Sequence, residues 1–145
     1  MKEKIILLVE DSPQDEALTI RALKKAHVMN DVVVVRDGAE ALDYLFCRGA
    51  YSSRDPQEMP ELVLLDLKLP KVDGLEVLRQ IRANKTTHRL CVVVLTTSAE
   101  EQDLVKSYDS GVNSYVRKPI DFSTFTASIE KLAVYWLLIN VTPPY

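Results

Sequence analysis

Five short runs recur along the chain, and each is followed by a segment whose apolar residues fall three and four apart. The runs are Lys4 to Val9, Asp31 to Arg36, Leu62 to Leu65, Cys91 to Leu95 and Ser114 to Arg117. The first four hold at least four consecutive apolar residues, many of them β-branched, which suits strands covered on both faces rather than a half-exposed sheet. Strand and helix patterns alternate five times, so the expected fold is α/β. It is a doubly wound, five-stranded parallel sheet with right-handed crossovers and helices on both faces. At 145 residues the chain suffices for one such domain and is too short for two. With no internal repeat and no linker, residues 1–145 read as a single domain ending in an apolar tail, about 135–145.

The helical segments carry their own start and stop signals. Ser12-Pro13 pairs a capping side chain with Pro at the first turn, and that helix is expected to stop near His27 to Asn30. Asp37-Gly38 turns the chain into a helix bearing Ala41, Leu42, Leu45 and Phe46, while Leu75, Val77, Leu78 and Ile81 form the stripe of the next. Glu100 to Ser110 is more polar, with Leu104, Val105 and Tyr108 its main apolar residues and Gly111 placed to cap its end. Asp121 or Ser123 can start the last helix, whose stripe is Phe122, Phe125, Ile129, Leu132 and Trp136. Between Arg48 and Pro60 the pattern lapses into a connection longer than usual. Because it enters a parallel strand, it belongs on the face opposite the strands' carboxyl ends, where a partner contact and simple tolerated length are both open.

Composition narrows the function classes. Lys and Arg number 18 against 21 Asp and Glu, a formal charge of −3, and no basic block occurs, so a nucleic-acid partner is not expected. No apolar run approaches a membrane span, and the opening MKEKIILLVEDS reaches acidic residues before a signal-peptide core could form, which points to a cytoplasmic location. Cys47 and Cys91 lack CxxC or His spacing and read as reduced packing residues. His27 and His88 read as surface residues.

The chemistry-bearing side chains collect at strand ends. Glu10-Asp11 follow the first strand, Asp66 the third, Thr96 the fourth and Lys118 the fifth. In an open α/β sheet those ends share one rim, the rim that holds ligands. Taken alone, Asp66 could merely cap the turn after it. Three carboxylates within about 4 Å would repel by roughly 4 kcal/mol per pair at an effective dielectric near 20, and a divalent cation removes that repulsion. An all-oxygen set without His or Cys favours Mg²⁺, with Mn²⁺ able to substitute, over zinc. A carboxylate can also act as nucleophile toward a phosphoryl donor, giving an acyl phosphate. A hydroxyl at Thr96 and an ammonium at Lys118 suit the oxygens of the transferred group.

These residues match a known pattern. Glu10-Asp11, the segment from Asp66 to Gly74, Leu95-Thr96-Thr97 and Tyr115-Val116-Arg117-Lys118-Pro119 stand in the order and spacing of the receiver domain of two-component response regulators, the CheY-like fold, which the chain resembles over essentially its whole length. The resemblance implies the strand order 2-1-3-4-5, for which this family is a standard example. It implies that Asp66 accepts phosphate from a sensor histidine kinase. It further implies Mg²⁺ held by Asp11, Asp66 and the backbone carbonyl of Lys68, with Glu10 acting through water. Thr96 and Lys118 would hold the phosphoryl group, Thr96 and Tyr115 would act as the switch pair, and Lys118-Pro119 is a candidate cis bond. For Tyr115 the alternative is a Tyr packed at a sheet edge. The long connection from Cys47 and the ending Tyr135 to Val141 further resemble small regulators paired with cyanobacterial phytochromes. That resemblance implies a phytochrome-type kinase and a homodimer through the fourth and fifth helices and the tail. The apolar residues Tyr135, Leu138 and Ile139 point to association independently, although they could also fold back onto their own domain.

The expected role is a stand-alone phosphoacceptor acting on an unknown downstream protein, not an enzyme beyond its own Mg²⁺-dependent phosphorylation and dephosphorylation. A haloacid-dehalogenase-like phosphohydrolase also uses a strand-end Asp, but it needs a second Asp two residues on, where this chain has Lys68. A receiver-like interaction module that never turns over phosphate is the other alternative, and the set Asp11, Asp66, Thr96 and Lys118 weighs against it.

Overall fold

Runs of β-branched and leucine residues build the centre of the sheet. The strands are β1 (Ile5–Val9), β2 (Asp31–Val35), β3 (Leu62–Leu65), β4 (Val92–Thr96) and β5 (Ser114–Arg117). They alternate with α1 (Pro13–Lys25), α2 (Gly38–Leu45), α3 (Gly74–Ala83), α4 (Glu101–Asp109) and α5 (Phe122–Ala133). The computed structural model describes residues 5–97, 100–118 and 121–141. All pairings are parallel, as the alternating pattern leads one to expect, and the strand order is β2-β1-β3-β4-β5, the order that the resemblance implies. Pleat alternation divides the strand side chains between two cores. Leu7, Val9, Val63, Leu65, Val92 and Val94 pack toward α2 and α3, and Ile6, Leu8, Leu62, Leu64, Val93 and Leu95 pack toward α1 and α5.

Four helices start on short polar caps. Ser12, Asp37, Asp73 and Asp121 each accept a hydrogen bond from the backbone N–H three residues on, which satisfies a donor that the helix leaves unpaired. Helix α1 ends earlier than its apolar pattern suggests, at Lys25, and His27 adopts a left-handed φ of 60° just beyond it. The connection after α2 contains one 3-10 turn, Gly49–Tyr51. Its residues Arg48, Pro56 and Met59 line a groove with Asn84 and Thr86 of the α3–β4 connection, away from the carboxyl ends of the strands.

Two local readings need correction. The fourth strand is Val92–Thr96 rather than Cys91 to Leu95, so Thr96 is its last paired residue and Cys91 precedes it. Helix α4 buries Asp103 and Ser107, whereas Val105 and Tyr108, two of its main apolar residues, are 51% and 54% exposed. Polar partners inside, rather than apolar periodicity, set the rotation of that helix. The last helix does not run on as an α-helix through Trp136. At Val134–Ile139 it widens to a π-helical turn, and Trp136 and Leu137 lie partly buried against the core while Tyr135 and Ile139 face outward. The expected tail thus divides between folding back and exposure. The expected cis bond at Lys118-Pro119 lies outside the described residues. Among the described residues, no helix is long and apolar enough to cross a membrane.

Candidate functional site

Each acidic residue of the rim is delivered by the strand before it. The Glu10 N–H continues the β1–β2 ladder by donating to the carbonyl of Val35 at 3.0 Å, and the Asp66 N–H continues the β1–β3 ladder by donating to Val9 at 3.1 Å. The ladder therefore fixes where both side chains leave the backbone. Glu10 and Asp66 are buried and Asp11 is exposed at the mouth. One carboxylate oxygen from each of Glu10, Asp11 and Asp66 lies within 4.8 Å of the others.

Lys118 enters from the opposite side. Its N–H donates to the carbonyl of Thr96 at 2.7 Å, so the end of β4 sets its backbone. Its ammonium makes a short hydrogen bond to Glu10 and lies 3.0 Å from Asp15 and 3.4 Å from Asp66. Only 5% of the Lys118 side chain is exposed. One cation is thus shared among three carboxylates, and the repulsion expected from the sequence is offset in part by the protein's own ammonium. Asp15 was not singled out from the sequence. Its signal was there: Ser12 caps α1, so Asp15 is the third helical residue, whose side chain points back toward the cap. A cavity of about 280 Å³, lined by Asp15, Leu18, Thr97, Lys118 and Phe122 among others, opens beside the ammonium.

Burial sets the electrostatics. It pushes the Glu10 carboxyl up to about 7, against the opposing pull of Lys118 and with a further push from Asp66. Burial also favours the neutral form of Lys118, but its hydrogen bond to Glu10 and the charges of Asp66 and Glu10 outweigh that and hold its pKa above the ordinary value. Lys118 therefore stays charged near neutrality, while Glu10 is poised to exchange a proton.

The loop after β3 is held close to Asp66. The N–H of Lys68 donates to Asp66 Oδ1 at 3.3 Å, and that of Gly74 donates to the carbonyl of Leu67 at 2.9 Å. Gly74 has to be glycine for steric reasons: a Cβ there would lie 2.2 Å from the carbonyl oxygen of Asp66. The start of α3 is in this way packed directly onto the backbone of Asp66. The ammonium of Lys68 pairs with Asp103 of α4 at 3.1 Å, which raises its pKa. Thr96 is wholly buried at the end of β4. Tyr115 on β5 is half-buried and packs against the core on the α2–α3 side.

The donor set fits a hard divalent cation, since three carboxylates converge and neither Cys47 nor Cys91 joins them. Asp66 lies in this set 3.4 Å from the fixed ammonium of Lys118.

Comparison with known proteins agrees with this geometry. The model of the response regulator receiver domain matches residues 6–130. The probable methanogenesis regulatory protein FilR2 of Methanothrix harundinacea is 42% identical over 96% of this chain and 87% of its own length. Response regulator Rcp1 of Synechocystis is 40% identical over 92% of this chain and 89% of its own. A crystal structure of the Mn²⁺-bound form of Rcp1 superposes with a TM-score of 0.89 at 38% identity, covering 97% and 99% of the two chains. The phosphorylated cyanobacterial phytochrome response regulator RcpA superposes with a TM-score of 0.91 at 41% identity, covering 99% of this chain and all of that one. With the sheet order, the carboxylate rim and these matches in agreement, the chain belongs to the response regulator receiver domain family.

Proposed function

We propose that this protein is a phosphoacceptor of a two-component relay, in which Asp66 takes a phosphoryl group from a phosphohistidine of a sensor kinase. The observation that carries this reading is the convergence of Glu10, Asp11 and Asp66 with a single buried ammonium, Lys118, at the carboxyl rim of the sheet. In the transfer, a carboxylate oxygen of Asp66 attacks phosphorus. The O–P bond forms as the P–N bond breaks, and the imidazole nitrogen leaves with the electron pair and is protonated from solvent. Lys118 holds a phosphoryl oxygen electrostatically, and the Thr96 hydroxyl donates to another once the group is in place. Hydrolysis reverses the gain: water attacks phosphorus, the O–P bond to Asp66 breaks, and inorganic phosphate departs.

Asp11, Asp66 and the Lys68 carbonyl are the groups to hold Mg²⁺, with Glu10 assisting through water and Mn²⁺ able to substitute. The cation supplies neutralisation of charge on the transferring group. The chain acts on no other substrate. Its output is protein contact, in keeping with the exposed Val105 and Tyr108 of α4 and Tyr135 and Ile139 beyond α5, which suit a homodimer through that face. Similarity to the phytochrome response regulator RcpA supports a phytochrome-type kinase as partner.

Incubation with acetyl phosphate and Mg²⁺ tests the reading. Intact-mass measurement is expected to find one added phosphoryl group per chain, none in Asp66→Asn, and no sustained hydrolysis of general phosphomonoesters. Labelling that survives the substitution refutes it.

A further inference from the structure

Helix α4 is attached at its two ends by different means. At its carboxyl end, Gly111 caps it at a φ of +93°, and Arg82 of α3 donates from Nε to the Gly111 carbonyl at 2.7 Å and from an Nη to Asn113 Oδ1 at 2.8 Å. At its amino end the buried face is polar. Asp103 is buried, and Ser107, one turn on and also buried, donates its hydroxyl to the Asp103 carbonyl at 2.7 Å. Across from Asp103, over a cavity of about 370 Å³, lies the loop that follows Asp66, and the Lys68 ammonium spans the gap to Asp103 at 3.1 Å. The same Lys68 donates its N–H to Asp66 Oδ1. One residue therefore touches the carboxylate at the centre of the site and the buried carboxylate of α4.

We infer that the Lys68–Asp103 ion pair is a latch: it holds the start of α4 against the loop after Asp66 and loosens when Asp66 is loaded. The inference rests on Asp66 being the phosphoacceptor. A phosphoryl group on Asp66 adds anionic oxygens to the carboxylate that the Lys68 N–H already meets at Oδ1. The Lys68 side chain is 62% exposed and so is not locked by packing. Its ammonium then divides between the new anion and Asp103, and the amino end of α4 loses part of its attachment while Arg82 keeps the other end in place. Val105 and Tyr108 lie on the outward side of the segment that is freed. A change at the rim thus reaches an apolar surface without any movement of the sheet.

Hydrogen–deuterium exchange on the full chain tests this in two arms. In the unmodified, divalent-free protein, Lys68→Met and Asp103→Asn are each expected to speed exchange of α4 amides roughly tenfold, the equivalent of one charge-assisted hydrogen bond, with little further change in the double variant. Peptides from α1 serve as the control for global unfolding. In the second arm, beryllofluoride with Mg²⁺ stands in for the phosphoryl group. It is expected to speed α4 exchange in the wild type and to leave Lys68→Met, already fast, unchanged. Wild-type α4 rates in Lys68→Met overturn the latch. So does an equal response of both proteins to beryllofluoride, or protection of residues 66–74 with no change in α4. If beryllofluoride protects no segment at all, it is the reading of Asp66 that falls, and the first arm still decides the latch.

Discussion

Raising the pH from about 5 to about 8 in a divalent-free buffer is expected to destabilise the protein, and Glu10 is the cause. In the fold its carboxyl is pushed up to about 7 by burial, against an ordinary 4.5 in the unfolded chain. The difference, roughly 2.5 pH units, corresponds to roughly 3 kcal/mol. The folded state holds this proton more tightly than the unfolded state does, so the favourable contribution is complete below 4.5 and is lost as pH rises through 7. Between those limits the slope approaches about −1.4 kcal/mol per pH unit. Other shifted groups act outside this window. Glu76 is held down to about 2 by Arg79, and Asp121 is held down by its bonds from Thr124, so their contributions are present above the ordinary carboxylate range and fail only in more acid solution. Lys118, shifted up from 10.5, loses its contribution only above that value. Urea unfolding followed by the single Trp136, which packs partly against the core, measures the effect. The wild type is expected to lose stability from pH 5 to pH 8, while Glu10→Gln, which keeps the shape and cannot ionise, stays nearly flat. Mg²⁺ is expected to restore the wild type more at pH 8 than at pH 5, because it binds the ionised carboxylates. Parallel curves for the two proteins, or a wild type that gains stability toward pH 8, would refute the assignment.

Two further perturbations probe the frame around the site. Gly74→Ala sets a methyl group 2.2 Å from the Asp66 carbonyl oxygen and 2.6 Å from Leu67 Cα, both backbone atoms, so the start of α3 has to move. A loss of about 1 to 3 kcal/mol in urea unfolding, with slower labelling by acetyl phosphate, is the expected result. Arg82→Ala removes bonds to the carbonyls of His88, Leu90 and Gly111 and to Asn113. It is expected to cost about 2 to 3 kcal/mol, and Arg82→Lys is expected to recover little, since an ammonium cannot reproduce the planar fork.

What could be read from the sequence follows physical lines. The strands were legible because Val32 to Val35 and Val92 to Val94 are consecutive β-branched residues, a pattern that no amphipathic helix shows, and the helix starts were legible where Ser12, Asp37 and Asp121 are capping residues at the right spacing. The convergence of Glu10, Asp11 and Asp66 followed from topology, since parallel strands deliver their ends to one rim. The partners reached by long side chains were not legible. Nothing in the spacing of Lys118 and Asp15, 103 residues apart, encodes that they touch, and the same holds for Lys68 and Asp103. Helix α4 meets the same limit, with Val105 and Tyr108 exposed and Asp103 buried. Periodicity assumes that apolar residues face inward, and here a charge on another element draws Asp103 in instead. The π-helical turn at Val134–Ile139 escaped too, because a widened turn leaves no compositional mark.

The two cores and the rim are connected energetically. Glu10 is buried as an acid whose ionisation the fold opposes by roughly 3 kcal/mol, which is about what truncating one buried leucine to alanine costs. Leu7, Leu62, Leu64, Leu65 and Leu78 are all fully buried, so the sheet holds several times the apolar packing needed to keep such a carboxyl in place. Whatever relieves that opposition gains it as binding free energy. A proton does so below pH 7; the pull of Lys118, divided among three acids, is already spent within that figure. A divalent cation would compete with both, and best where Glu10 is ionised, above pH 7. A rim relaxed by full internal pairing would be more stable and would hold a cation less tightly, so the surplus of carboxylates over ammonium groups is what makes this end of the sheet a binding site rather than a closed salt bridge.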